Sequence, residues 1–221
     1  MELDGLFFSS FSLWLAGTVS MGLWLLAVCL APWKRLYNRE QLHVFLGSCV
    51  ALMVMWTLRT SVFQGVEFHL ILLTTLTLMF GWSLSIIGGS LVLAGVTIAG
   101  FATWSGFVLN LLTVVVLPVT FTQFSLVLIR SLLPRHFFIY IYLNAFLVGG
   151  IAIVLSGVVA SLMLASTGLA GFPTLWNTYL QYFPLMFFPE AVLNGWFMTL
   201  LVGYRPLWVN SFRDEEYLHG K

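Results

Sequence analysis

Glu190 and Asn194 are two polar residues inside an otherwise apolar stretch near the C-terminal end of the sequence. They are four residues apart, a spacing that places both side chains on one face of a helix. A charged side chain costs about 2.5–3.5 kcal/mol at the centre of a membrane helix, so the few that occur there usually serve a function. Two interpretations stay open for Glu190: a carboxyl that ties its helix to Arg or Asn on a neighbour, and a group with a direct role in transport.

His69 is the residue best suited to bind a metal ion. It follows Glu67 by two residues and is expected to open a short helix on the outer face of the protein. Neutral imidazole is a common ligand of transition metals, and carboxylate oxygens extend the choice to harder divalent ions. Glu2 and Asp4 are the acidic residues expected on the same side of the protein, so the four side chains form a candidate site. A structural or interfacial histidine is the alternative.

Asn110 and Asn144 are uncharged polar residues in apolar surroundings. Such amides usually form hydrogen bonds between neighbouring membrane helices, and we expect that structural role for both. No catalytic signature accompanies them, because the sequence contains no HExxH, GxSxG, Walker or dinucleotide-binding motif. The chain is therefore not expected to be an enzyme.

The amino-acid composition predicts the kind of structure that carries these residues. Of 221 residues, 60% are hydrophobic and 8% are charged, whereas about 25% of the residues in a soluble domain are charged. So few polar residues cannot cover a water-exposed surface, and the chain is predicted to be an all-α, polytopic membrane protein. The formal net charge of +1 offers no attractive field to nucleic acid, so nucleic-acid binding is excluded as an expected function.

The number of spanning helices follows from the lengths of the apolar runs, since a spanning helix needs about 20 mostly apolar residues. Five runs meet or approach that length. A further run, 68–101, is too long for one helix and is interrupted by glycines, so it is predicted to form two short helices. One transmembrane domain, 1–203, then contains seven predicted helices: 7–31, 42–58, 68–82, 84–101, 105–129, 137–165 and 177–203.

The distribution of Lys and Arg predicts the orientation, because basic residues in short loops mark the cytoplasmic side. The connectors 32–41 and 130–136 and the tail 204–221 are basic, whereas the loop 166–176 carries no basic residue. Seven crossings satisfy this pattern, with the N-terminus outside and an interfacial tail in the cytoplasm. Three histidines then lie on the cytoplasmic side, away from His69: His43, His136 and His219.

The order of several features along the chain carries a family resemblance. A first helix with an external N-terminus precedes a His-bearing connector, a Gly-interrupted pair of short helices and a last helix with Pro-Glu-x-x-x-x-Gly. The motifs are Ala-Pro-Trp (31–33), Phe-Gly (80–81), Phe-Phe-Ile-Tyr (137–140), Pro-Glu-Ala-Val-Leu-Asn-Gly (189–195) and Val-Asn-Ser-Phe-Arg-Asp-Glu-Glu-Tyr (209–217). In this order the chain resembles, over almost its whole length, the CbiM/NikM-type substrate-binding membrane components of energy-coupling factor transporters, which take up cobalt or nickel.

The resemblance implies uptake of a divalent transition-metal ion, as substrate, across a bacterial inner membrane. It also implies two kinds of partner, a membrane coupling subunit and cytoplasmic ATPase subunits. Metal-specific members hold the ion near the outer surface with the N-terminal amine, a histidine at position 2 and a histidine in the connector after the second helix. His69 matches the last of these, and position 2 is Glu2. The resemblance therefore implies an oxygen-rich site of Glu2, Asp4, Glu67 and His69 for another divalent ion, or loss of the metal function.

Two other classes of function stay open. One is a membrane enzyme or assembly factor in which Glu190 and Asn194 act on a lipid-soluble or metal substrate, and the other is a structural subunit of a larger complex. Spacing alone assembles no nucleophile, base and orienting group from different helices, so uptake is preferred. Small residues on the fourth and sixth helices suit either docking of a partner or internal packing: Ala94, Gly95, Ala99, Gly149, Gly150, Ser156 and Gly157.

Overall fold

A bundle of seven principal helices fills the computed structural model, which describes residues 2–63, 66–168, 171–178 and 180–217. The helices are α1 (Ser10–Leu30), α2 (Arg39–Thr57), α3 (Leu73–Phe80), α4 (Trp82–Ile98), α5 (Phe107–Leu132), α6 (Phe137–Ser166) and α7 (Phe183–Tyr204). Shorter helical turns occupy the connectors and the tail: Gly5–Phe7, Trp33–Leu36, Phe172–Thr178, Leu180–Tyr182, Pro206–Trp208 and Asp214–Tyr217.

Helix length and composition support the membrane assignment. Across the described ranges, α1, α2, α5, α6 and the segment that ends with α7 are long and apolar enough to cross a membrane. The helix α4 is apolar with 17 residues, and α3 has eight residues, of which all but Thr75 are buried. The all-α membrane bundle predicted from the sequence is confirmed, while the number of crossings and the side of each terminus stay predictions.

The short helix α3 lies in the centre of the bundle, in contact with α4, α5, α6 and α7. Gly81 separates it from α4 with a φ of +83°, a backbone conformation that favours glycine. Backbone groups opened at this break face protein rather than lipid, which cannot form hydrogen bonds with them. The predicted start of this helix at residue 68 is wrong, because residues up to 68 belong to a strand and α3 begins at Leu73.

A three-stranded antiparallel sheet joins the N-terminal segment to the connector between α2 and α3. Its strands, in the spatial order β1-β3-β2, are β1 (Glu2–Leu3), β2 (Thr60–Phe63) and β3 (Val66–Phe68). Glu2 pairs with Glu67, and Leu3 pairs with Val66. No strand is predicted here from the sequence, because segments of two to four residues are too short to show the alternation of polar and apolar residues that identifies a strand.

The last helix starts later than predicted, at Phe183 rather than 177. A separate short helix, Phe172–Thr178, precedes it. Pro184 lies in the first turn of α7, where proline is favoured because its missing amide hydrogen would have no helical partner.

The tail packs into the bundle as far as the structure describes it, to residue 217. The amide of Asn210 donates to the carbonyl oxygen of Met79 at 2.9 Å, and the amide of Ser211 donates to that of Leu78 at 3.1 Å. These carbonyls end α3, so the tail satisfies acceptors that the helix itself leaves open. Arg130 on α5 donates to the carbonyl of Ser211. The interfacial placement predicted for the tail is therefore incomplete, because these contacts anchor it to the protein.

Candidate metal-binding site

His69 lies in a four-residue loop, 69–72, between β3 and α3. Its side chain is 2% exposed, and its ring centroid lies 4.9 Å from that of Trp56. The Nδ1 atom is 3.1 Å from the carbonyl oxygen of Leu70. Because a carbonyl can only accept, this contact favours the tautomer with the proton on Nδ1 and the lone pair on Nε2.

Burial keeps the His69 imidazole neutral. Desolvation lowers the pKa of His69 well below its usual value, and the positive charge of Arg59 contributes in the same direction. A neutral imidazole is the form that binds metal ions. The loop therefore presents at neutral pH the protonation state that a metal site requires.

The carboxylate of Glu190 holds this loop from α7. The amide of Ile71 donates to Oε2 at 2.9 Å, and the amide of Leu72 donates to Oε1 at 2.6 Å. Amides just before and within the first turn of a helix have no partner inside it, and a carboxylate there is also favoured by the helix dipole. Of the two interpretations left open for Glu190, the structure favours a tie between helices, but the tie is to backbone amides rather than to Arg or Asn on a neighbour.

Asn194 extends the same connection one turn into α3. Its Oδ1 accepts from the amide of Thr75 at 2.9 Å and from the Thr75 hydroxyl at 2.7 Å. Its Nδ2 donates to the carbonyl oxygen of Glu190 at 2.8 Å and to Oε1 of Glu190 at 3.0 Å. Gly149 on α6 makes room, since a Cβ there would lie 2.9 Å from Nδ2 of Asn194. Glu190 and Asn194 thus form one polar group against the start of α3.

The end of α2 holds the loop from the other side. Nε1 of Trp56 donates to the carbonyl oxygen of Ile71 at 3.1 Å. Arg59 in turn donates from Nη2 to the carbonyl of Trp56 at 2.8 Å and from Nη1 to that of Phe101 at 2.7 Å. The peptide group between Ile71 and Leu72 therefore has side-chain partners on two helices, Trp56 on α2 for its carbonyl and Glu190 on α7 for its amide.

Asn110 fixes the N-terminal segment. Its Oδ1 accepts from the amide of Leu3 at 2.6 Å, and its Nδ2 donates to the carbonyl oxygen of Leu3 at 3.0 Å. The side-chain amide acts here as a short additional strand beside β1. The expectation of a hydrogen bond to a neighbouring helix is wrong for Asn110, because the backbone of β1 takes both its donor and its acceptor.

The N-terminal segment packs closely against the loop before α5, through a hydrogen bond of Asp4 and through two glycines. Oδ1 of Asp4 accepts from the hydroxyl of Ser105 at 2.9 Å and from the amide of Leu6 at 3.1 Å. Gly5 and Gly106 allow the two backbones to meet, since a Cβ on Gly106 would overlap the carbonyl oxygen of Leu3. Asp4 thus has a structural use, whatever else it binds.

The four candidate ligands are only partly brought together. Strand pairing places the backbone of Glu2 opposite that of Glu67, two residues before His69 in the chain. Among the side chains that the structure describes, no three His, Cys, Asp or Glu groups lie close enough to hold a metal ion. Asp4 and His69 are among these side chains, whereas the side chains of Glu2 and Glu67 lie outside the described part.

Asn144, His136 and His43 form none of the hydrogen bonds that hold the loop 69–72. Asn144 is buried on α6, and its Oδ1 accepts no hydrogen bond from any residue that the structure describes. His136 accepts from the amide of Phe138 through Nδ1 at 3.2 Å and so caps the start of α6. His43 is exposed on α2. His219 lies outside the described residues.

Small residues on α4 and α6 are used for internal packing at three of the positions where docking was the alternative. A Cβ on Gly95 would overlap the side chain of Met53, and one on Gly150 would lie 2.5 Å from the ring of Phe187. Gly149 accommodates Asn194, as described above. A groove of about 810 Å³ lies between α2 and α7, and α3 forms its floor.

The chain is a polytopic membrane bundle with a buried histidine in the loop 69–72, which follows the strand paired with its N-terminal strand. Residues 4–208 match the model of the CbiM family, described as the cobalt uptake substrate-specific transmembrane region. The chain belongs to this family, as its sequence motifs indicated. It is a membrane component of transition-metal uptake, and a transporter component rather than an enzyme.

Two solved structures share the fold. A truncated transition metal transporter superposes with a TM-score of 0.77 at 13% identity, over 92% of this chain and 99% of that chain. A second transition metal transporter gives a TM-score of 0.76 at 12% identity, over 94% of this chain and 96% of that chain. At these identities the likeness shows the fold alone. No curated protein matches the chain significantly by sequence.

Proposed function

We propose that the chain is the substrate-binding membrane subunit of an energy-coupling factor transporter. Its substrate is a divalent transition-metal ion similar to cobalt or nickel, taken up across a bacterial inner membrane. One transmembrane domain, 1–203, and a cytoplasmic tail, 204–221, are part of this proposal, as are seven crossings with an external N-terminus.

The observation that carries the proposal is the position of His69, whose buried side chain lies in a loop that Trp56 and Glu190 hold from two sides. The ion binds to the imidazole of His69, with the carboxylates of Glu2, Asp4 and Glu67 as further ligands. Nitrogen and oxygen ligands together suit borderline divalent ions such as cobalt, nickel, zinc and manganese. The pairing of Glu2 with Glu67 supports this ligand set, because it brings the N-terminal segment to the segment that bears His69.

Partners are required because the sequence contains no nucleotide-binding motif. Accumulation of an ion against its gradient needs an energy source, which cytoplasmic ATPase subunits supply through a membrane coupling subunit. Surface for the coupling subunit is offered by the groove between α2 and α7 and by α1, whose Phe11 and Trp14 are 77% and 74% exposed. The lipid bilayer covers what these partners leave open.

Elemental analysis tests the substrate assignment. The protein is purified in detergent after growth with trace cobalt, nickel, zinc, manganese and iron, beside a His69→Ala variant and the matched His43→Ala variant. We expect one divalent metal to co-purify with the wild type and with His43→Ala and to be absent from His69→Ala. Wild-type protein without metal under all growth conditions would contradict the proposal.

Co-purification tests the partner assignment separately. The tagged chain is expressed in its native host, and proteins that remain bound in mild detergent are identified by mass spectrometry. An ATPase and a second membrane subunit are expected together. Recovery of the chain alone, under conditions in which it still binds metal, would contradict the energy-coupling factor assignment and leave the metal site unaffected.

A further inference from the structure

Glu190 lies on α7, yet its carboxylate accepts hydrogen bonds from the loop between β3 and α3 that carries His69. We propose that Glu190 is a positioning residue for the metal site: by holding the backbone of the loop 69–72, it fixes the place of the His69 imidazole. Asn194 supports it by donating to the Glu190 carboxylate and by accepting from Thr75 in the first turn of α3. This inference rests on the proposed function, since it assigns a metal ion to His69.

Chain geometry connects Glu190 to His69. Ile71, whose amide donates to Glu190, is only two residues from His69, and consecutive Cα atoms are about 3.8 Å apart. So short a segment cannot absorb a displacement of Ile71 without moving His69. The ring of His69 also lies against Trp56, which itself holds the carbonyl of Ile71. Movement at Ile71 therefore disturbs His69 both through the backbone and through this aromatic contact.

The backbone conformation of Leu72 shows that the loop needs external support. Its φ is +53°, a left-handed conformation that is uncommon for residues other than glycine. Such conformations persist where the surrounding structure determines them by several contacts. Here the contacts are the Glu190 carboxylate on the Leu72 amide and, next to it, the Trp56 indole on the Ile71 carbonyl.

The two ends of α3 are held by different groups, which allows positioning to be separated from general stability. Glu190 and Asn194 hold the end next to His69. At the other end, the hydroxyl of Ser211 donates to the carbonyl oxygen of Leu78 at 2.7 Å. Loss of the Ser211 hydroxyl loosens the same buried helix without touching the loop 69–72.

Glutamine at position 190 is the informative substitution, because both carboxylate oxygens accept from amides. A glutamine has one acceptor oxygen and one NH₂ donor, so it can accept from one of the two amides and presents a donor to the other. The loop then loses one of its anchors while the size of the side chain is kept. Changes of groups that orient a metal ligand typically weaken metal affinity by about 10–100-fold.

Cobalt(II) titration followed by visible absorption tests the inference, because the absorption spectrum of the bound ion reports its coordination geometry. Wild type, Glu190→Gln, His69→Ala and the control Ser211→Ala are titrated in detergent, and their thermal unfolding is recorded. We expect Glu190→Gln to bind roughly 10–100-fold more weakly with an altered spectrum. Ser211→Ala should keep the wild-type affinity and spectrum although its unfolding temperature falls, and His69→Ala should not bind.

Other outcomes would contradict the positioning role of Glu190 or metal binding at His69. Equal affinity and spectrum of wild type and Glu190→Gln, with binding lost in His69→Ala, would overturn the positioning role and leave the proposed function standing. Equal weakening in Ser211→Ala and Glu190→Gln would reduce the role to general stability. Absence of binding in the wild type would overturn the proposed function itself.

A second variant keeps the inference testable if Glu190→Gln does not fold. Trp56→Phe keeps an aromatic ring but removes the Nε1 donor to the carbonyl of Ile71, so it loosens the same loop from the side of α2. The inference predicts weaker cobalt binding for this variant too. Wild-type affinity and spectrum in Trp56→Phe would show that the position of the loop does not control the site.

Discussion

Replacement of Asn110 by alanine should free the N-terminal strand from the bundle. The substitution removes the acceptor for the amide of Leu3 and the donor for its carbonyl. Leu3 is 2% exposed, so both backbone groups lose their partner in a place where water does not replace it. A buried polar group left unpaired costs about 1–3 kcal/mol. The two groups together therefore destabilise the attached state of β1 by about 2–6 kcal/mol.

Hydrogen exchange measured by mass spectrometry reports this change locally. A loss of about 2 kcal/mol corresponds to roughly 30-fold faster exchange, since each 1.4 kcal/mol is a factor of ten. The amides of the N-terminal peptide should exchange faster by at least that factor in Asn110→Ala. The amides in the middle of α5 should change little, because the segment can detach while the bundle stays folded.

Asn144→Ala is the matched control for this experiment. Asn144 is also a buried asparagine on a neighbouring helix, but its Oδ1 accepts no hydrogen bond within the described part of the chain. We expect no acceleration of N-terminal exchange in this variant. If Asn110→Ala also left the N-terminal peptide unchanged, or if both variants accelerated it equally, the assignment of Asn110 as the anchor of β1 would be refuted.

Three further predictions concern pH, packing and topology. Burial lowers the pKa of His69, so below about pH 6.5 the unfolded chain binds a proton that the folded metal-free protein does not bind. Thermal stability should therefore fall on acidification, and it should fall less in the His69→Gln variant than in the wild type. An equal slope in both proteins would contradict a neutral, buried imidazole. Gly106→Ala should lose about 1–3 kcal/mol or more in thermal unfolding because its Cβ would overlap backbone, whereas Gly22→Ala, with open space around it, should change little. A reporter fused after Lys221 should lie in the cytoplasm, and one inserted between residues 166 and 174 should lie outside. Both reporters on the same side would contradict the seven-helix topology.

Much of the helical architecture could be predicted from the sequence because membrane helices carry their signal locally. An apolar run of sufficient length predicts α1, α5 and α6 without knowledge of their neighbours. The sheet could not be predicted in this way. Its strands have two to four residues, and what holds them is the pairing of segments more than 50 residues apart, such as Glu2 with Glu67.

The polar residues of the candidate site stand out in the sequence, but their partners do not. A carboxyl in an apolar helix stands out by composition alone, so Glu190 could be selected. Its partners are the amides of Ile71 and Leu72, and a backbone amide has no signature in a sequence. The same holds for Asn110, whose partner is the backbone of Leu3. The expected partners were side chains because only side chains can be read from a sequence.

Calorimetric titration of the purified protein with cobalt(II) and nickel(II) shows whether His69 binds the transported ion. His43→Ala is the matched control, because His43 is an exposed histidine on α2, in the groove rather than in the loop 69–72. We expect wild type and His43→Ala to bind one of these ions with similar affinity and His69→Ala to lose the binding. Undiminished affinity in His69→Ala, or loss of binding in His43→Ala instead, would contradict metal binding at His69.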